Sequence, residues 1–457
     1  MTQTTAPEKS DAAYHRDLGD NLVLRWSTAD DFDRIADLYA HVFRDGLDKP
    51  LNEGLRRWTS EMMSGRHPLI GPGDFAVVEN TETGKIAAST CLIAQEWEYE
   101  GVRFPIGRPE VVASDPAYRR RGLVRAVFEL IHARAAARGA LVTAITGIAY
   151  YYRVFGYEYA LELEGGWAVA LSAIPALKDG AAEPFTLREA TGEDIPLLAS
   201  LYDRQRARAE VSTVVDESYW RWMIDGIRKD ASEYWRVCLI IAMEDQKIVG
   251  YVRLPRDRWG AGVGVFALWL DDGLSYTSVL PSLLRAAKKI GEENPAPRTT
   301  EPLAEVVFSL GRSHPVYEAL GPRLRAFRQR DYAWYVRVPD LVAFIQRIAP
   351  ALERRLAEQD SPVAAYSGAV NLDFYRDGLR LVFEKGRLVT AEEWRIPVWG
   401  KADAGFPPLV FLQLLFGWRS LGDLRHAFPD VWTTNDEVHT LLETLFPAKP
   451  SWVVPLD

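Results

Sequence analysis

The 457 residues predict an α/β (α+β) protein of three units: two copies of one mixed-sheet unit, followed by an α+β tail. Three observations carry that reading. The length corresponds to about three domains of ordinary size. A block of residues recurs in register 163 positions later, and beyond Pro339 the chain no longer follows the repeat.

The repeat opens with a short strand running into a capped helix. Leu24-Arg25, Thr28, Asp31, Ala36 and Leu38-Tyr39 return as Leu187-Arg188, Thr191, Asp194, Ala199 and Leu201-Tyr202. A Thr with Asp three residues later can close a helix N-terminus, and apolar residues follow at helical spacing. Phe75-Ala-Val-Val-Glu, a turn over 80–84 and Lys85-Ile86-Ala-Ala predict a hairpin, repeated over 239–251. Tyr152-Arg-Val-Phe155-Gly156 is matched by Tyr317-Glu-Ala-Leu320-Gly321. The copies therefore fall at 20–175 and 184–338, and the tail at 339–457. In the tail the pattern predicts a helix over 341–358 interrupted at Pro350, a hairpin over 381–389, an apolar run over 409–416 and a short helix over 438–446 stopped by Pro447.

Composition narrows the partners. A hydrophobic share of 48% and a charged share of 26% are those of a globular protein. Lys+Arg 54 against Asp+Glu 63 gives a net charge of −9, which argues against nucleic acid or anionic membrane as partner. The polar start and the absence of any run of 18 apolar residues predict neither signal peptide nor membrane span. Cys91 and Cys238 are too few for a disulfide scaffold or a Cys-based zinc site, so a reducing cytoplasm is the expected location. Seven scattered histidines without H-E-x-x-H predict no catalytic metal.

The chemistry concentrates in the first copy. Val111-Val-Ala-Ser-Asp-Pro-Ala-Tyr-Arg119-Arg-Arg-Gly122 reads as a strand and a turn, opening a helix from Leu123 that stops at Gly139. Unpaired amides, the positive end of the helix dipole and three arginines would attract phosphate there. The plainer alternative is a solvated basic turn. No G-x-x-x-x-G-K-[ST], G-x-S-x-G or nucleophilic cysteine signature occurs, and Gly260-Ala-Gly262-Val-Gly264 leads into a strand, as a hairpin or bulge would.

Arg119-Arg-Arg-Gly122-Leu-Val124 is similar to the R-x-x-G-x-G/A pyrophosphate loop of the GNAT acetyltransferase superfamily. Tyr151-Tyr152-Arg-Val-Phe155-Gly156-Tyr157 resembles its F-Y-x-x-x-G-[FY] segment. The whole plan, with its tail ending Pro450-Ser-Trp-Val-Val-Pro-Leu-Asp457, resembles the enhanced intracellular survival (Eis) family. That family has tandem GNAT-like domains and a sterol-carrier-protein-like last domain. The one departure is Val124, where Gly or Ala is usual.

The resemblance implies acetyl-CoA as cosubstrate and a primary amine, on a small molecule or a lysine, as acceptor. It assigns the diphosphate to Arg119, Arg120, Arg121, Gly122, Leu123 and Val124. Val112 and Ser114 would offer backbone groups to the pantetheine arm, and Tyr152 would meet the departing thiolate. The base is left open between Glu110, the C-terminal carboxylate of Asp457 and no single group. A homo-oligomer is expected, a hexamer being one form.

Other residues read as structural. Tyr150 and Tyr151 read as core, His132 as an ordinary helical residue, and Tyr219-Trp220-Arg221-Trp222 as packing. The second copy lacks the arginine loop and is expected not to bind CoA. The rival reading is a lipid or acyl carrier that holds CoA as a ligand without transferring from it.

Overall fold

The computed structural model describes residues 7–44, 46, 48–227, 235–258, 260–293, 301–325, 327–358, 363–395 and 402–455. The first copy contains β1 (His15–Gly19), β2 (Leu22–Trp26), α1 (Phe32–Val42), α2 (Glu53–Met62), β3 (Phe75–Asn80), β4 (Ile86–Tyr99), β5 (Val102–Ser114), α3 (Leu123–Ala137), β6 (Val142–Ile145) and β7 (Glu158–Ala170). The Thr28–Asp31 cap forms as the spacing predicts, with the Thr28 N–H donating to Asp31 at 2.8 Å. Arg25 reaches from β2 to both Asp31 oxygens at 2.7 Å. That clamp explains why an arginine recurs with the Thr and Asp. Arg188 holds both oxygens of Asp194 at 2.8 Å in the second copy, where Thr191 forms the same cap.

The second copy contains β8 (Phe185–Glu189), α4 (Ile195–Arg206), β9 (Val211–Thr213), α5 (Glu217–Arg221), β10 (Trp235–Ala242), β11 (Ile248–Pro255), β12 (Gly262–Val265), β13 (Ala267–Leu270), α6 (Tyr276–Glu293), β14 (Glu305–Ser309), α7 (Val316–Leu324) and β15 (Phe327–Arg337). Both expected hairpins are present, β3–β4 and β10–β11. The glycine-rich stretch leads into β12, a strand as expected, but β12 pairs in parallel with β14 in unbroken register and forms neither hairpin nor bulge there. Tyr219, Trp220 and Trp222 pack on Leu198, Leu201 and Tyr202 in the core.

The two copies share a sheet. Among the described residues its order is β1-β2-β3-β4-β5-β6-β15-β7-β14-β12, with β9 alongside β4. β15, the last strand of the second copy, lies between β6 and β7 of the first: Tyr335 pairs with Ile145 on one side and with Tyr159 on the other. In return, Gly166–Ala170 of β7 pair with β14. Each copy thus completes its neighbour's sheet, so the ladder runs across the limit predicted between 175 and 184, while the strands beyond 338 form a sheet of their own. The helix α3 covers one face of the first-copy strands, and α1 with α2 covers the other.

The tail packs α8 (Leu341–Ala357) on a sheet of β16 (Gly368–Asp373), β17 (Gly378–Glu384) and β18 (Arg387–Glu393), extended by two short strands. Pro350 does not interrupt α8 as expected. It sits on the solvent side, so the carbonyl it frees, at exposed Gln346, is left to water while Ile348, Ala351 and Leu352 stay buried. The apolar run over 409–416 forms a short helix at Phe411–Leu415, and the last helix covers Asp436–Leu445. No helix among the described residues is long and apolar enough to cross a membrane.

One buried ionic cluster ties all three parts. Arg355 of α8 donates to both oxygens of Glu210, just before β9, at 2.8 Å, and lies 3.1 Å from Glu100, at the β4–β5 turn. Lys449 closes on Glu100 at 2.6 Å. Burial pushes the fully enclosed Glu210 carboxyl up, and the Arg355 charge opposes this. Arg355→Met, which leaves Glu210 unpaired, should cost about 3–5 kcal/mol in chemical denaturation, and Glu210→Leu added to it should restore most of that loss.

Candidate active site

The cleft begins where β5 leaves β6. Their parallel pairing is confined to Ile106–Val142 and Gly107–Thr143, while β5 stays on β4 as far as Ser114. A bulge turns it away: Ser89 faces Ala113 but Cys91 faces Glu110, so Val111 and Val112 both stand opposite Thr90. Val111 has a φ of 49° at that point. Val112 and Ser114, beyond the bulge, line a cavity of about 680 Å³.

The arginine turn forms the cavity's other end. Arg119 is extended, Arg120 has a φ of 64° and Gly122 a φ of 76°. Such alternation turns successive amides toward one point, and only glycine takes the Gly122 conformation without strain. The first bond of α3 runs from the Ala126 N–H to the Gly122 carbonyl, so the amides of Leu123, Val124 and Arg125 have no partner within the helix. Leu123 buries its side chain under the sheet and offers only its backbone. Arg119, Arg120, Gly122, Leu123 and Val124 all line the cavity. Arg121 does not: it pairs with Asp20 at 2.5 Å and lies over the Tyr118 ring, bracing the turn from behind. These residues fit a diphosphate by unpaired amides and positive charge together.

Tyr152 closes the cleft. It lies in a five-residue 3-10 turn, Tyr151–Phe155, is 4% exposed, and packs among Phe128, Tyr157 and Tyr335. Burial, followed by the Glu110 charge, pushes its hydroxyl well above the ordinary phenol value, so it stays protonated. Among the described residues that hydroxyl has no hydrogen-bond partner, and the side chain lines the cavity. Tyr151 lines it too. Tyr150 is 71% exposed with a φ of 69°, which corrects the core reading: the chain reverses there and turns the ring outward. His132 is ordinary, as expected, meeting the Tyr157 hydroxyl at 2.8 Å, and burial lowers its pKa to about 3.

Glu110 sits on β5 just before the bulge and is not among the residues lining the cavity. Its Oε1 accepts from Arg108 Nε at 3.0 Å and Nη2 at 2.8 Å, and the buried guanidinium stacks over Trp334. Its carbonyl accepts from the hydroxyl of Thr90 at 2.8 Å and the thiol of Cys91 at 3.6 Å. Asp457 lies outside the described residues. The chain leading to it runs beside β9: Trp452 N–H donates to Val211, and Val454 N–H donates to the Thr213 hydroxyl.

A splayed parallel pair, a helix N-terminus with free amides and a tyrosine lining the same cavity are now joined by a match along the chain: residues 24–160 match the acetyltransferase (GNAT) domain. The first copy carries a GNAT domain. No curated protein matches the sequence. Three solved structures share the fold over almost the whole chain. A GCN5-related N-acetyltransferase from Kribbella flavida is 18% identical, covering 95% of this chain and 99% of its own, with a TM-score of 0.62. A protein of unknown function and probable N-acyltransferase from Enterococcus faecalis is 16% identical, covering 95% and 99%, with a TM-score of 0.64. Eis1 from Mycobacterium abscessus is 14% identical, covering 94% and 98%, with a TM-score of 0.57.

The GNAT domain and the second copy differ most at the arginine turn. Where three arginines precede Gly122, Asp271 and Asp272 precede Gly273, itself at a φ of 87°, ahead of α6. Arg204 and Arg208 of the same copy occupy those carboxylates. Negative charge at a helix N-terminus repels phosphate. Tyr317, the counterpart of Tyr152, places its hydroxyl against the Leu310 amide and the Gly165 and Phe308 carbonyls.

Sequence reasoning missed Arg108, Tyr332, Trp334 and Tyr335. The last three come from β15, about 180 residues beyond Tyr152, and read along the chain only as an aromatic strand. Arg108 falls two residues before Glu110 on one strand, so period-2 alternation places the two on one face, a signal that could have found it. Gly122→Asp should weaken coenzyme A binding by at least about tenfold in calorimetry, since it adds strain and negative charge at the turn. Unchanged affinity would put the coenzyme elsewhere.

Proposed function

We propose that this chain is an acetyl-CoA-dependent N-acetyltransferase that acetylates primary amines, on small molecules or lysine side chains, by direct attack in a ternary complex. The observation that carries this reading is a single cavity lined both by Arg119, Arg120 and Gly122 to Val124 of the turn and by Tyr152. Acetyl-CoA supplies an activated thioester. Arg119, Arg120 and the amides from Gly122 to Val124 hold its diphosphate, braced by Arg121. The free edge of β5 at Val112 and Ser114 aligns the pantetheine arm, and the Val112 amide donates toward the carbonyl oxygen as negative charge develops there.

An amine of the lysine class has a pKa near ~10.4 and must lose a proton before it attacks. Glu110 lies just before the bulge but does not line the cavity, and its Oε1 is occupied by Arg108. The tail from Pro450 to Val454 lies parallel to β9, and β9 runs antiparallel to β4, so the chain heads toward the part of β4 that faces Glu110. Its direction supports the Asp457 carboxylate as the base. Tyr152 then donates to the sulfur. A thiol of pKa near ~8.5 is a stronger acid than a buried phenol, so the hydroxyl stabilises the thiolate by hydrogen bonding and keeps its own proton. Cys91 argues against an acyl-enzyme: it is fully buried, its thiol faces the Glu110 carbonyl, and burial pushes its pKa up.

The same reading takes 20–175 as the catalytic unit, 184–338 as a degenerate GNAT-like unit and 339–457 as a sterol-carrier-protein-like unit, in a cytoplasmic homo-oligomer. The test is thiol release from acetyl-CoA with hexylamine, lysine methyl ester, spermidine and tryptamine. Tyr152→Phe should lower kcat about 10²-fold while KM for acetyl-CoA changes less than about threefold. If no amine stimulates release while a fluorescent fatty acid binds, the carrier reading replaces this one. Deleting Asp457 should lower kcat at least about tenfold; an unchanged rate assigns the proton transfer to Glu110 or water.

A further inference from the structure

The segment between β6 and the Tyr151–Phe155 turn has no regular structure and two left-handed positions, Gly147 with a φ of 131° and Tyr150 with a φ of 69°. Its anchor is one hydroxyl from the second copy. The Gly147 N–H donates to Tyr332 Oη at 2.6 Å, and the same hydroxyl donates to the Gly147 carbonyl. Both backbone groups of one residue are thus held by a single side chain, which β15 carries opposite Glu164 of β7 and whose ring lies 6.0 Å from Tyr159.

Gly147 in turn forms the wall against which Tyr152 rests. A Cβ built at Gly147 would stand 3.1 Å from Tyr152 Cε2 and 3.2 Å from its Oη, so the bare backbone there is in contact with the hydroxyl end of the ring. Moving Gly147 moves the surface that sets where that hydroxyl lies. The Tyr152 ring is confined on its other sides by Phe128, Tyr157 and Tyr335, leaving the loop as its least constrained boundary. A displacement of about 1 Å at a reacting group can cost as much as 10²-fold in rate.

We propose that Tyr332 is a positioning residue for the transfer step: by clamping both backbone groups of Gly147 it sets the Tyr152 hydroxyl against the leaving sulfur. The inference rests on the reading of Tyr152 given above. It makes the second copy, which has lost the diphosphate turn, a working part of the active site.

Tyr332→Phe keeps the ring and removes both hydrogen bonds. In the full-length protein, with acetyl-CoA and the fastest amine of the panel, kcat should fall about tenfold while KM for acetyl-CoA stays within about twofold. In a Tyr152→Phe background the same change should cost less than about twofold, because the clamp acts through the hydroxyl already removed. By hydrogen exchange, amides 147–151 should exchange about tenfold faster in Tyr332→Phe, with β6 and β15 unchanged. Losses that multiply in the double variant, an unaltered kcat, or unaltered exchange at Gly147 would overturn the positioning role and leave the reading of Tyr152 standing. A Tyr152→Phe enzyme as fast as the parent, or no turnover with any amine, would remove both.

Discussion

The candidate cleft exists because two strands change places. β15 enters the first copy between β6 and β7, and the far half of β7, still paired with β15, takes β14 of the second copy on its other edge. Without β15, β6 would keep only its two-residue contact with β5 and would present an open edge beside the cleft. With it, β6 is held firmly on one side, and β5 can diverge on the other without the sheet falling apart. The splay is supported by a strand that belongs to the neighbouring repeat.

That exchange explains how two copies of one unit came to share one chemistry. The same turn, ending in a left-handed glycine shortly before a helix, carries three arginines in one copy and two aspartates in the other. The helix dipole is alike in both, so the side chains decide whether phosphate is attracted or repelled. Nor is the second copy's tyrosine idle. Tyr317 has its hydroxyl against backbone groups, and so helps to fill the space that the GNAT domain keeps open. A second binding site is replaced by support: aromatic residues of β15 pack around Tyr152 and under Arg108.

The tail joins this arrangement through buried charge. Glu210, Glu100 and Arg355 come from three different parts of the chain; Glu210 and Arg355 are buried as a pair, with half-buried Glu100 beside them, since an unpaired charge in that position costs several kcal/mol. The cluster fixes the register in which the tail meets the first two units. The segment from Pro450 onward can then add to β9 and run along the molecule toward the cleft.

Much of this was legible in the residues. The Thr–Asp caps, the hairpins, the helix opening at Leu123 and the tail hairpin follow from spacing, because each depends on neighbours within a few positions. The arginine turn and the tyrosine segment were joined at one site by their resemblance to the two GNAT motifs, since spacing along the chain does not by itself bring them together. Tyr150 went astray because exposure depends on which way a reversed backbone points its ring, and no local pattern encodes that. Pro350 did so because its cost is set by whether the freed carbonyl faces water. The strand exchange, the Arg355 cluster and the reach of Tyr332 to Gly147 had no signature at all. Pairings across 100 to 200 residues are selected by the energy of the assembled sheet, and that energy is not defined until every strand has a neighbour.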